Sequence, residues 1–219
     1  MAKKVLMLHG LAQSGEYFAS KTKGFAAELE KLDYELYYPT APNSFPPADL
    51  PNGLLDEIDD KVSSQSGVIA WLQNKETGDG YYIPETTINY LHNYIIENGP
   101  FDGIVGFSQG AGLAGYLVTD FNGLLNLTEE EQPPLKFLMA FSGFRFRGEE
   151  HQKQYKNPIS IKTLHVHGEL DTVTEPKKVQ ALYDSCDSSS RTFLTHKGGH
   201  FIPNSRGFLK KVVEWLNEL

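Results

Sequence analysis

Cysteine is almost missing from this chain of 219 residues. Cys186 stands alone, so no intramolecular disulfide can form and no metal site can rest on thiolates. Such economy suits a reducing compartment. Long apolar runs are missing too. The stretch Met1–His9 has a basic tip, but its apolar run, Val5-Leu6-Met7-Leu8, is only four residues. That is too short for a secretory core or a membrane span. The expectation is therefore cytoplasmic residence, with the nucleus as a further compartment, and no membrane span. Cations are in deficit as well. Lys and Arg total 20 against 28 Asp and Glu, a net charge of -8. This argues against nucleic acid or an anionic bilayer as the main partner. Repeats and low-complexity tracts are lacking, no dinucleotide-binding segment is read, and neither a cofactor nor a metal is expected.

What is present is an ordinary globular composition, 40% hydrophobic and 22% charged, long enough for one domain over residues 1–219 with a sizeable core. Apolar runs at 5–8, 34–38, 103–105, 135–141, 161–166 and 191–196 read as strands. Helical patterns at 17–31, 84–97, 109–120, 175–185 and 205–217 fall between them. Strands alternating with helices predict an α/β architecture: a doubly wound, mostly parallel sheet covered on both faces, with ligands at the carboxyl ends of the strands. Two segments break the rhythm. Residues 42–84 carry Pro42, Pro46, Pro47 and Pro51, then the acidic run Asp56–Asp60, with a short helix-like patch at 68–72. Residues 144–158 are polar and charged. Both read as small cap insertions over a site, since a loop this long in a compact domain is usually functional. Trp71, Tyr81 and Tyr82 are candidate pocket walls, because large aromatics suit an apolar cavity better than a solvated linker.

The chemistry centres on Gly106-Phe107-Ser108-Gln109-Gly110. The pattern Gly-x-Ser-x-Gly follows a strand and precedes the small-residue run Ala111–Gly115, so it reads as a sharp strand–turn–helix with the Ser108 hydroxyl held outward. A serine hydroxyl is a weak nucleophile that needs a base, and the base needs an orienting group. In sheets with such an elbow the partners follow in the order acid, then histidine. Asp171, straight after the 161–166 strand, is the candidate acid, with Glu169 and Glu175 as rivals. His200, after the last strand and behind Gly198-Gly199, is the candidate base, with His196, His165 and His167 as rivals. Ser108 would attack an acyl carbonyl, His200 would take its proton, and Asp171 would hold the imidazole tautomer. The oxyanion that forms needs two donors. They are assigned to the backbone N–H of Gln109, at a helix start, and that of Leu11, in the loop after the first strand, with Ala12 as rival. His9 is read as a structural residue that shapes this loop.

With these motifs in place the chain resembles the family of serine hydrolases, small α/β-hydrolases of fungi and other eukaryotes. The resemblance rests on His9–Gly15, Asn98–Ala111, Gly168–Asp171 and Gly198–Asn204. It implies an α/β-hydrolase fold, a triad on Ser108, Asp171 and His200, and hydrolysis of esters or thioesters with no cofactor. The reading that follows is a carboxylesterase-type serine hydrolase acting on small-to-medium acyl esters. An acyl-thioesterase is the alternative, and a non-catalytic binding protein of the same fold a more distant one. The oligomeric state is not readable.

Overall fold

A computed structural model describes residues 2–45, 67–75 and 80–219. In chain order the elements are β1 (Lys3–Leu8), α1 (Gly15–Lys21), α2 (Lys23–Glu30), β2 (Tyr34–Tyr37), β3 (Asn43–Phe45), β4 (Val68–Ala70), β5 (Gln73–Asn74) and β6 (Tyr81–Tyr82). There follow α3 (Glu85–Asn98), β7 (Gly103–Phe107), α4 (Gln109–Leu117), α5 (Phe121–Leu125), β8 (Phe137–Phe141) and α6 (Glu149–Gln152) with a 3-10 turn at Lys153–Lys156. The chain ends with β9 (Lys162–Gly168), α7 (Pro176–Tyr183), β10 (Arg191–His196) and α8 (Arg206–Leu216).

Six strands form one sheet in the order β10-β9-β8-β7-β1-β2, with every pairing parallel. A parallel sheet needs crossover helices, and these cover both faces. The period of two along each strand divides the core accordingly. Leu6, Leu8, Ile104, Leu138 and Ala140 turn to the face covered by α3, α4 and α5. Val5, Met7, Val105, Phe137, Met139 and Phe141 turn to the face covered by α1, α2 and α8. On that second face α8 buries Phe208, Leu209, Val212, Trp215 and Leu216, a spacing that keeps one helical stripe inward. Fully buried Phe25, Phe137 and Phe141 each contribute about 1.5–3 kcal/mol by leaving water. The order of the strands reverses between β1 and β7, so the switch point lies where the loop after β1 meets the turn after β7. These two loops carry Leu11 and Ser108.

Three local expectations change. The helical pattern at 17–31 is two helices, broken at Thr22, whose hydroxyl donates to the Phe18 carbonyl at 2.8 Å and also meets the Tyr38 hydroxyl. The patch at 68–72 is not helical. Val68–Ala70 pairs antiparallel with Asn43–Phe45, and β-branched Val68 and Ile69 suit that pairing. A short helix, α5, stands at 121–125 where none was expected, capped by the Asp120 carboxylate accepting from the Gly123 N–H. Of the 42–84 segment, the described parts form two small two-stranded sheets, β3-β4 and β5-β6. Pro46, Pro47, Pro51 and the acidic run Asp56–Asp60 lie outside the described residues. Among the described residues no helix is long and apolar enough to cross a membrane.

Candidate active site

Ser108 occupies the turn between β7 and α4 with φ 52° and ψ -114°. A non-glycine residue there stores on the order of 1–3 kcal/mol of strain, so the surroundings must over-determine it. They do. The Ser108 N–H donates to the Phe141 carbonyl at 2.8 Å, and its carbonyl accepts from the Gly112 N–H at 3.0 Å. The flanking glycines allow the approach. A Cβ on Gly106 would lie 2.5 Å from the Ala111 Cα, and one on Gly110 2.3 Å from the Leu8 carbonyl oxygen. The next glycines, Gly112 and Gly115, abut Phe144 and Leu182. The string Gly110–Gly115 spells G-x-G-x-x-G, but its glycines lie within α4 and pack against protein, not around a phosphate-sized gap. The Ser108 hydroxyl itself makes no hydrogen bond among the described residues.

Asp171 and His200 come together from the loops after β9 and β10. His200 Nδ1 lies 2.9 Å from Asp171 Oδ2. The Asp171 side chain is fully covered, and every bond aimed at it is a donor. Oδ2 also accepts from the Ser142 hydroxyl at 2.7 Å, and Oδ1 accepts from the N–H groups of Val173 and Thr174, both at 2.9 Å. Burial alone would push this carboxyl up. The donors from His200, Thr174 and Ser142 win and hold it well below the usual carboxylate range. A permanent carboxylate facing Nδ1 requires the imidazole to carry its proton there, which leaves Nε2 free as a base. The ring rests on Phe107, with centroids 4.7 Å apart, next to the elbow. No hydrogen bond joins His200 to Ser108 in this arrangement, and such contacts are often long without substrate.

The rival residues are occupied elsewhere. Glu169 pairs with Lys197 at 2.7 Å on the surface, and Glu175 with Lys177 and Lys178. His196 accepts from the Gly198 N–H and packs on Phe201. His167 Nε2 donates to the Thr174 carbonyl at 2.9 Å, so it braces the Asp171 loop. His165 is fully buried against Cys186, and burial lowers its pKa to about 3.

Around the expected oxyanion hole, the N–H groups of Leu11 and Gln109 have no acceptor among the described residues. The Ala12 N–H is committed to the Ile69 carbonyl at 2.9 Å. His9 shapes this loop from beneath. Its Nδ1 donates to the Gly10 carbonyl at 2.7 Å and its Nε2 accepts from the Ala41 N–H at 2.9 Å, which defines a neutral tautomer. Burial lowers its pKa to about 4.

The pocket-wall assignments change for Trp71. It is fully buried, with its indole N–H donating to the His9 carbonyl at 3.0 Å, so it supports the loop after β1 and lines no open cavity. Its polar edge had a partner only the fold could supply. Tyr81 is half-buried against Phe144, which lies over α4 at Gly112. Tyr82 is an exposed residue whose hydroxyl donates to Gln73. The open cavity beside His200, about 390 Å³, contains none of the three.

Two side-chain roles escaped the sequence reading. Ser142 follows β8 with φ 51° and reaches Asp171 across the sheet edge. The Gln109 side chain is buried, and its Oε1 accepts from the Trp71 N–H at 2.8 Å, tying the elbow to the 71–72 segment. Ser142 had one visible signal: it ends a strand, as Ser108 does.

The model of the serine hydrolase (FSH1) family matches residues 1–212. The chain belongs to that family. It is 67% identical to "Family of serine hydrolases 2" of Saccharomyces cerevisiae over the full length of both chains. It is 31% identical to "Esterase OVCA2" of Danio rerio, covering 91% of this chain and 90% of that one. In fold it is similar to Zea mays acyl-protein thioesterase 2, with a TM-score of 0.63 at 20% identity, over 100% of this chain and 94% of that one. The fold of this serine hydrolase is accordingly the α/β-hydrolase fold, and the loops that carry Ser108, Asp171 and His200 all leave the carboxyl ends of its strands.

Proposed function

We propose that this serine hydrolase cleaves small-to-medium acyl esters through an acyl-enzyme on Ser108. Ser108 Oγ attacks the carbonyl carbon while His200 Nε2 takes the hydroxyl proton. The carbonyl oxygen becomes an oxyanion, held by the N–H groups of Leu11 and Gln109. The carbon–oxygen bond to the alcohol then breaks, and His200 hands the proton to the departing oxygen. Water repeats the sequence: it gives His200 a proton, adds to the acyl carbon and releases the acid, and Ser108 recovers its proton. One observation carries this reading. The bond from His200 Nδ1 to the covered carboxylate of Asp171 orients the ring and reserves Nε2 for proton transfer. Uncommitted N–H groups at Leu11 and Gln109 add support.

The described parts of the 42–84 segment, residues 42–45, 67–75 and 80–84, are assigned with 144–158 as caps that select the substrate, and the compartment is the cytoplasm. Labelling with a fluorophosphonate, followed by a chain-length series of p-nitrophenyl esters, tests the reaction. Wild type labels and turns over esters, whereas Ser108→Ala does neither. Equal labelling of the two would end the serine-hydrolase assignment of Ser108. Inert esters of every length beside active acyl-thioesters would replace the esterase reading with a thioesterase one.

A further inference from the structure

The cavity beside His200 has a particular composition. Phe107, Phe201 and Tyr17 contribute aromatic surface; among the described residues Lys21 contributes the only formal charge, and no Asp or Glu lines it. Lys21 ends α1, and its Nζ stands 5.0 Å from the Tyr17 ring centroid. Among the described residues no carboxylate lies within 4.0 Å of that ammonium, although Lys31, Lys136, Lys177 and Lys197 all have acidic partners. In a chain of net charge -8, an unpaired cation on an aromatic wall is an available anion contact.

The position of the cavity says which half of an ester it would hold. His200 lines it, but Ser108, Leu11 and Gln109 do not. The oxyanion donors bind the carbonyl oxygen, while the histidine faces the oxygen that leaves. A cavity lined by the base but not by the nucleophile or the oxyanion donors suits the leaving-group side. Resting on the mechanism above, we propose that this subsite accepts an alcohol portion with a flat apolar body and an anionic end, a carboxylate or a phosphate. The body lies against Phe107, Phe201 and Tyr17, and the anion meets Lys21. The aromatic wall supplies the burial, and the ammonium supplies selection by charge.

Three butyrates sharing one acyl group test this: 4-carboxyphenyl, 4-phosphonophenyl and the neutral 4-carbamoylphenyl ester. In wild type, kcat/KM for at least one anionic ester exceeds that for the neutral ester by about threefold to tenfold. The better of the two anions identifies the chemistry. Lys21→Met brings the ratio close to one, Lys21→Arg restores it, and Lys21→Glu pushes it below one. A wild-type ratio near one, or a ratio unchanged in Lys21→Met, overturns the subsite. Calorimetric binding of 4-hydroxybenzoate against 4-hydroxybenzamide, on wild type, Lys21→Met and Ser108→Ala, reads the subsite without catalysis. Preference for the acid in wild type and Ser108→Ala, lost in Lys21→Met, supports it even if all three esters are inert. Inert esters with no Ser108 labelling would overturn the hydrolytic mechanism alone. Equal binding of acid and amide would overturn the subsite alone.

Discussion

Asp171→Asn isolates the assignment of the acid, because it changes one atom without changing size. Four donors converge on the carboxylate: the N–H groups of Val173 and Thr174 on Oδ1, and the Ser142 hydroxyl with His200 Nδ1 on Oδ2. Asparagine has a single acceptor oxygen. The two backbone donors cannot turn away, so the amide oxygen must face them. Its NH2 group then faces Ser142 and His200. The Ser142 hydroxyl can rotate and accept. His200 must offer a lone pair at Nδ1, which moves its proton to Nε2 and removes the base. A tautomer lost in this way lowers kcat by about 10⁴-fold, or about 5.4 kcal/mol of barrier. The readouts are the rate of fluorophosphonate inactivation and the turnover of a p-nitrophenyl ester, with a thermal melt to show that the fold persists. A folded Asp171→Asn variant within tenfold of wild type would refute the orienting role. The same bonds set an acid limit. They depress the Asp171 carboxyl in the folded state, so their stabilisation is present above pH about 4, the unfolded value. It fades as the pH falls below that, and the asparagine variant lacks it.

Other perturbations read neighbouring parts of the site. Ser142→Ala removes one charge-assisted bond to a covered carboxylate and should cost about 1.5–3 kcal/mol in urea denaturation, with kcat falling more than KM changes; an unchanged midpoint and kcat would deny Ser142 any positioning role. Gly110→Ala places a Cβ 2.3 Å from the Leu8 carbonyl oxygen and 2.5 Å from that of His9, so the turn must shift. Its stability should drop by about 3 kcal/mol or more, and a melt indistinguishable from wild type would mean that the elbow is not tightly packed. His9 is buried and neutral with its pKa lowered to about 4, against about 6.5 unfolded. The unfolded chain therefore takes up this proton first, and stability falls as pH drops from about 6.5 to about 4, by about 3 kcal/mol in all. His9→Gln should flatten that slope by one proton, and an unaltered slope would place the titration elsewhere.

The serine elbow, and an acid and then a histidine at later strand ends, were legible because each depends on a few consecutive residues. Strand–turn–helix chemistry is local, and so is the alternation that divides Val5 and Met7 from Leu6 and Leu8 between the two faces of the sheet. The sequence by itself therefore determined the α/β class, the loops that carry Ser108, Asp171 and His200, and the family. Tertiary structure decided what touches what. Val68–Ala70 became a strand because Asn43–Phe45 offered it a partner, overriding a short helical pattern. Trp71 reads as a pocket aromatic until the His9 carbonyl, 62 residues earlier, claims its indole N–H. Ser142 reaches Asp171 across 29 residues, and Gln109 reaches Trp71 across 38. Such bonds leave no periodic trace, since each depends on two distant segments being brought to one sheet edge. The cavity beside His200 is of the same kind. Lys21 on α1 and His200 after β10 share a wall only because the sheet orders β1 and β7 side by side and the helices of one face close over them.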